Sequence, residues 1–232
     1  MMLHKKIIYV WMLCSCFLTQ AQSVNDVFKQ LAKQYSLNKP LQYKANYALY
    51  KDFDSKKIEE NYNGAFYKND LNEVYMKIGD SEILNSKTVF LKINNTEKAI
   101  EILDPVKNYF GDFDIKPLYE LCKIESFLDY KSYWEITLVS KQYSSLPYSK
   151  IIVQISKSYF LQKQIFYYNT AINFSKDYRS PDSHYPRLEI TYSNFNRNPV
   201  AASLFSTSTY FTKSAKEKII LTEKFKKYKI NN

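Results

Sequence analysis

The sequence predicts a mainly β protein, with one large antiparallel sheet and a few helices, on three observations. From residue 42 to residue 211 apolar and polar residues alternate over segment after segment, which gives each segment one apolar face. Short turns separate these segments, whereas parallel pairing needs connections of about a dozen residues or more. The apolar set is heavy in tyrosine, 22 residues against only 3 glycines, a composition that suits pleated strands.

The first residues read as an export signal. His4, Lys5 and Lys6 form a basic start, residues 7–18 an apolar run, and Thr19-Gln20-Ala21 a small-residue exit. The run is too short for a lasting membrane anchor, and Gln22-Ser23 supplies no stop-transfer pattern. Residues 1–21 are therefore expected to be a signal peptide and residues 22–232 a single domain, exported to the periplasm. Leu13-Cys14-Ser15-Cys16 also resembles a bacterial lipobox, which would make Cys16 the acylated first residue of a membrane-anchored lipoprotein. Against it, Cys14 is a poor fit at its position and Phe17-Leu18 continue the apolar run. If Cys16 is removed, Cys122 is the only cysteine left, so there is no internal disulfide and stability has to come from the core.

Val24, Val27, Phe28, Leu31 and Tyr35 then line one face of a helix, capped by Ser23 or Asn25 and ended by Asn38-Lys39-Pro40. In the first strand Tyr43, Ala45, Tyr47 and Leu49 share a face while Lys44 and Asn46 point the other way. Strands are predicted over 58–68, 73–78, 88–93 and 99–103, punctuated by Asn69-Asp70, Gly79-Asp80 and Asn94-Asn95-Thr96. After a loop over 104–116, Pro117 suits a helix start, and Leu118, Leu121, Cys122, Ile124 and Leu128 give that inserted central helix a broad apolar side. Cys122 reads as a buried small hydrophobe. Strand pattern resumes over 133–139, 150–155 and 161–168. After a polar insertion over 175–186 it continues through Leu188, Ile190 and Tyr192. The final segment admits a helix on Leu221, Phe225 and Tyr228 or short strands over 219–222 and 228–230, with strands preferred for continuity.

Several functions are excluded by what is missing. Gly64, Gly79 and Gly111 are isolated, so no phosphate-cradling loop can be assembled. Besides His4 the only histidine is His184, which with Cys122 cannot supply a usual zinc set, and no cofactor is expected. Asp112 and Asp114 after Gly111 lack the further ligands of a calcium loop and read as a solvated turn. The formal net charge is +10, yet the lysines are scattered apart from a concentration over 213–229, which suits a solvated, edge-protecting surface. Nucleic acid is not expected as a partner of an exported chain, whereas contact with an anionic membrane surface stays open. His184 with Ser183 or Ser180 would be the one route to a hydrolase, but its proline-bracketed setting reads as an exposed loop.

The stretch Arg187-Leu188-Glu189-Ile190-Thr191-Tyr192-Ser193-Asn194, followed by Leu204-Phe205, resembles the late strand of the periplasmic lipoprotein carrier superfamily, the LolA and LolB-like proteins. Residues 73–78, with 88–103 behind them, are similar to that family's central hairpins, and the order of elements is similar over most of the mature chain. The chain departs from the family in lacking its sheet arginine, with Lys44 and Lys51 on the first strand, and in having no proline-glycine end after Phe205. The resemblance implies a curved antiparallel sheet forming an incomplete β-barrel, covered by the N-terminal helix and the inserted central helix, around an apolar cavity for acyl chains. It implies a non-enzymatic protein of the bacterial envelope whose partner is a lipid or an acylated lipoprotein. Tyr47, Leu49, Met76, Ile78, Leu91, Ile93, Trp134, Ile136, Val153 and Ile190 are the expected cavity lining, with Leu121 and Leu128 on a lid. Alternation groups residues by face without saying which face is inside. The rival expectation is an envelope scaffold or protein-binding module in which the same aromatics fill a solid core.

Overall fold

The computed structural model describes residues 23–107, 120–177, 179–213 and 218–231. Helix α1 (Val24–Ser36) forms where the apolar spacing predicts it, with Val27, Phe28, Leu31 and Tyr35 buried. Ser23 is its cap: the side-chain oxygen accepts from the Asp26 amide at 3.2 Å, satisfying one of the orphan donors of the first turn.

Ten strands follow in two meanders. The first is β1 (Leu41–Tyr50), β2 (Ile58–Lys68), β3 (Val74–Ile78), β4 (Ser81–Asn85), β5 (Phe90–Asn94) and β6 (Ala99–Leu103). The second is β7 (Cys122–Asp129), β8 (Tyr133–Ser140), β9 (Tyr148–Ser156) and β10 (Leu161–Tyr168). A small hairpin, β11 (Ile172–Asn173) with β12 (Ser183–His184), precedes the long β13 (Arg187–Asn196), and β14 (Phe211–Lys213), β15 (Ile219–Leu221) and β16 (Lys229–Asn231) complete the chain. The main sheet has twelve strands in the order β16-β6-β5-β4-β3-β2-β1-β13-β10-β9-β8-β7. It is curved and not closed into a barrel. β13 returns to pair with both β1 and β10, and so joins the two meanders into one sheet. All pairings are antiparallel except that of β16 with β6.

Three details depart from the sequence reading. Residues 81–85, which fall between predicted strands, form β4, a strand reached through a tight reversal at Gly79, whose φ of +53° favours glycine. The inserted helix over 117–128 does not extend through its C-terminal half. Residues 117–119 lie outside the described residues, Glu120 and Leu121 are helical, and Cys122 onward is strand. A bulge between Ile124 and Ser126 explains the misreading. Register places Cys122, Ile124 and Phe127 opposite Ser140, Leu138 and Ile136, so these three share a face at spacings of two and then three, which imitates a helical stripe. The final segment forms the short strands β15 and β16 around a 3₁₀ turn at Glu223–Phe225.

The two faces of the sheet carry separate cores. On the face that α1 covers, Tyr43 stacks on Phe66 at 4.6 Å between ring centroids, and Met76, Trp134, Ile136, Val153 and Ile190 complete a layer with the helix's apolar stripe. On the far face, Leu84, Leu91, Ile93 and Ile100 are covered by Phe205, Tyr210, Phe211 and Phe225 of the C-terminal segment. That second layer includes a buried carboxylate, Glu82, which accepts from the Tyr75 hydroxyl at 3.0 Å, the Tyr210 hydroxyl at 3.2 Å and the Asn95 amide at 3.1 Å. Burial, helped by that carboxylate, pushes the Tyr75 and Tyr210 hydroxyls far above the ordinary tyrosine range.

The C-terminus of α1 is buried against the sheet, where its last carbonyls need donors other than water. Lys68, at the end of β2, supplies them: its ammonium donates to Tyr35 O and Leu37 O, each at 2.6 Å, while its side chain is fully buried. Arg197, just past β13, donates to Gln34 O at 3.0 Å, Gln34 Oε1 at 2.8 Å and Pro40 O at 3.2 Å. Burial, with the neighbouring Arg197 charge, pushes the Lys68 ammonium down to about 8 from 10.5.

Replacing Lys68 by methionine keeps a stem of similar size but leaves both carbonyls without that donor, and should cost about 2–4 kcal/mol in urea unfolding. Between the folded value of about 8 and the unfolded value of 10.5, the unfolded chain holds a proton that the folded chain has released. Stability therefore rises with pH across that window. The gap between wild type and Lys68→Met should widen from pH 8 to pH 10, and a gap that stays constant would show that Lys68 does not carry the linkage.

Candidate functional site

Register decides which of the expected lining residues belong together. Tyr47 lies opposite Ile190, Ile136 opposite Val153, and Trp134 shares their face two residues before Ile136, all on the side that α1 covers. Met76 and Ile78 are on the same side, through Phe66 and Gly64 of β2. The parity then runs from Met76 to Ile83 and from Ile83 to Lys92, so Leu91 and Ile93 point to the far face and pack in the second core. They do not share a space with the other eight. Leu121 sits in the short helical piece before β7, and its carbonyl accepts from the Lys141 amide at 2.8 Å. Leu128 is on β7 opposite Glu135, on the far face and 44% exposed, rather than on a covering helix.

The eight that remain divide along the strands. Met76, Trp134, Ile136, Val153 and Ile190 are at most 4% exposed, so they are packed interior. Tyr47, Leu49 and Ile78 are half-buried. They lie toward the end of the sheet away from the Lys68 clamp, and the pairing brings four further side chains onto that strip: Tyr62, Tyr148, Phe166 and Leu188. Tyr148, Phe166 and Leu188 are only partly buried, and Tyr62 is 46% exposed. Leu188 was within reach of the sequence, since it stands two residues before Ile190; Phe166 and Tyr148 join only through the cross-strand register of β10 and β9.

Two glycines shape this strip. A Cβ on Gly64 would lie 2.8 Å from the Tyr47 ring, and one on Gly79 would lie 3.0 Å from the Tyr62 ring. Both tyrosines therefore rest against backbone where any other residue would hold them away. Flat rings over glycine lie beside aliphatic Leu49, Ile78 and Leu188 in one apolar surface.

His184 occupies a different place, at the end of the sheet beside the loop that follows β1. One ring nitrogen faces Asp52 Oδ1 at 2.8 Å and the other faces Asp182 Oδ1 at 2.7 Å, while Lys51 also pairs with Asp182. Asp182 first and Asp52 second raise the imidazole above its ordinary pKa. A ring whose two nitrogens are both engaged by carboxylates has no lone pair to offer a serine hydroxyl, so the histidine acts as a cationic tie between the β11–β12 hairpin and the β1–β2 loop. Burial raises the Cys122 thiol, which suits a buried hydrophobe rather than a nucleophile. Among the described residues no group of three or more His, Cys, Asp or Glu is placed to hold a metal ion. Asp112 and Asp114 lie outside the described residues.

No family model and no curated protein matches the sequence. Similar solved structures include an uncharacterized conserved protein from Thermus thermophilus, 11% identical, covering 79% of this chain and 93% of its own, with a TM-score of 0.47. A LolA superfamily protein from Nitrosomonas europaea is 8% identical over 81% of this chain and 99% of its own, with a TM-score of 0.28. A domain described as that of an outer membrane lipoprotein-sorting protein, from Vibrio parahaemolyticus, is 10% identical over 79% of this chain and 96% of its own, with a TM-score of 0.35.

The histidine tie can be followed directly. By NMR the His184 ring should titrate above the ordinary value of about 6.5, and Asp182→Asn should lower its midpoint more than Asp52→Asn does. The tie holds while the imidazole is protonated and the carboxylates ionised, and it is lost as pH rises through the raised midpoint. An unshifted midpoint in the unaltered protein would mean that the two carboxylates do not hold the ring in solution.

Proposed function

We propose that this chain is an exported, non-enzymatic protein of the bacterial envelope that seats the acyl chains of a lipid or of an acylated lipoprotein against the helix-covered face of its sheet. The observation that carries the reading is the half-exposed apolar strip of Tyr47, Leu49, Tyr62, Ile78, Phe166 and Leu188, beyond the packed interior under α1. Water gains nothing from such a surface, and its burial by a flexible hydrocarbon is worth roughly 25 cal/mol per Å² of apolar area. The basic start and apolar run over residues 1–21 support export, with acylation of Cys16 as the alternative route to the same compartment. Trp134 and Ile136, both buried on the same face, belong to the packed interior beside the strip rather than to its open surface.

The first test is native mass spectrometry of the protein taken gently from its host's envelope, without detergent. A discrete added mass that leaves on collisional activation and fragments as a lipid is the expected result. The denatured mass of the same sample should show whether the chain begins at Gln22 or at an acylated Cys16. Tyr62→Asp and Leu188→Asp should each weaken lipid uptake at least about tenfold, since each places a charge where hydrocarbon would lie. Their cost to folding should be small for the exposed Tyr62. A bare chain that also refuses added lipid would sink the reading and leave a scaffold with a solid core.

A further inference from the structure

The far face holds a second opening, unconnected to the strip. A groove of about 750 Å³ lies between the ends of β5 and β6 and the β14–β15 hairpin. Its apolar wall is formed by Val89, Ile102, Leu103, Phe211 and Ile219. Val89 and Phe211 are each 6% exposed and form a fixed floor, whereas Leu103 is 38% exposed at the mouth. The size falls within the range of small-molecule sites, roughly 300–1,000 Å³.

The lining says what chemistry would fit. Four of the five apolar side chains are aliphatic, so the groove offers little ring stacking and favours a saturated or kinked hydrocarbon over a planar ring system. Its rim carries one charge of each sign, Lys213 and Asp104, together with the hydroxyl-bearing Thr207, Ser208 and Thr212. Both charged residues are exposed. A purely anionic head would meet Asp104, and a purely cationic one would meet Lys213; a head with an anion and a cation on one short linker complements both.

We propose that this groove binds a single-chain zwitterionic amphiphile of the lysophosphatidylethanolamine class, with its acyl chain on Val89, Ile102 and Phe211, its phosphate at Lys213 and its ammonium at Asp104. The site stands on the second core and is independent of the strip on the helix-covered face.

The test is titration calorimetry of the full chain with oleoyl lysophosphatidylethanolamine below its micelle concentration. One saturable site is expected. Lys213→Gln and Asp104→Asn should each weaken it about five- to tenfold, the scale of one exposed charge-assisted contact, and should leave binding of the uncharged monooleoylglycerol unaltered. Thr212→Trp, at an exposed rim position, should block the groove, while Tyr62→Asp should leave it unaffected. Loss of binding in Tyr62→Asp with none in Thr212→Trp would place the chain on the helix-covered face and overturn the proposal. Insensitivity to both Lys213→Gln and Asp104→Asn would overturn the assigned head group, and no saturable binding would overturn the site altogether.

Discussion

The rest of the architecture depends on how α1 ends. A helix lying against a sheet must leave its last carbonyls somewhere without water, and here two cations from opposite flanks of β1 reach them: Lys68 from β2 and Arg197 from just beyond β13. The arrangement uses the favourable sense of the helix dipole, with positive charge at the C-terminal end. It also fixes the helix over one end of the sheet. The half-exposed apolar residues Tyr47, Leu49 and Ile78 collect toward the opposite end of the strands. The burial of one lysine thus ties the end of α1 to the end of β2.

A second constraint is the continuity of one sheet with two cores. Pleating forces every residue on a strand to choose a side, and pairing carries that choice from strand to strand. Because β13 bridges β1 and β10, the parity set at Tyr47 propagates through Ile190 to Val153 and Ile136 on one flank. On the other flank it runs through Met76 and Ile83 and delivers Leu91 and Ile93 to the far side. The C-terminal segment is needed for that reason. Without Phe205, Tyr210 and Phe225 the first meander would expose an apolar layer to water.

Much of this was legible in the sequence where a single element states its own pattern. The stripe of Val27, Phe28, Leu31 and Tyr35, the alternation of Tyr43 to Leu49, and the long β13 needed no partner to be read. What escaped needed information from a neighbour. Leu91 and Ile93 alternate correctly within β5, but their side is inherited from Met76 through β4, whose two apolar residues, Ile83 and Leu84, are adjacent and so show no alternation. β7 reads as a helix because its bulge shifts the phase of the apolar residues. Lys68 gave no signal at all: a lysine ending a strand reads as solvent-facing until the helix terminus it serves is placed above it. The open strip was half legible, since Tyr47, Leu49 and Ile78 follow from alternation while Tyr62, Tyr148 and Phe166 join only through pairing.

The parallel pairing of β16 with β6 has a consequence for the order in which the protein is completed. Synthesis proceeds from the N-terminus, so β6 is made long before the strand that will cover it, and its outer row of amides and carbonyls waits for residues 229–231. An unpaired strand edge is a template for any other extended chain nearby. Until residues 229–231 are made, the nascent protein therefore carries that edge unpaired, and a variant lacking them would keep it open.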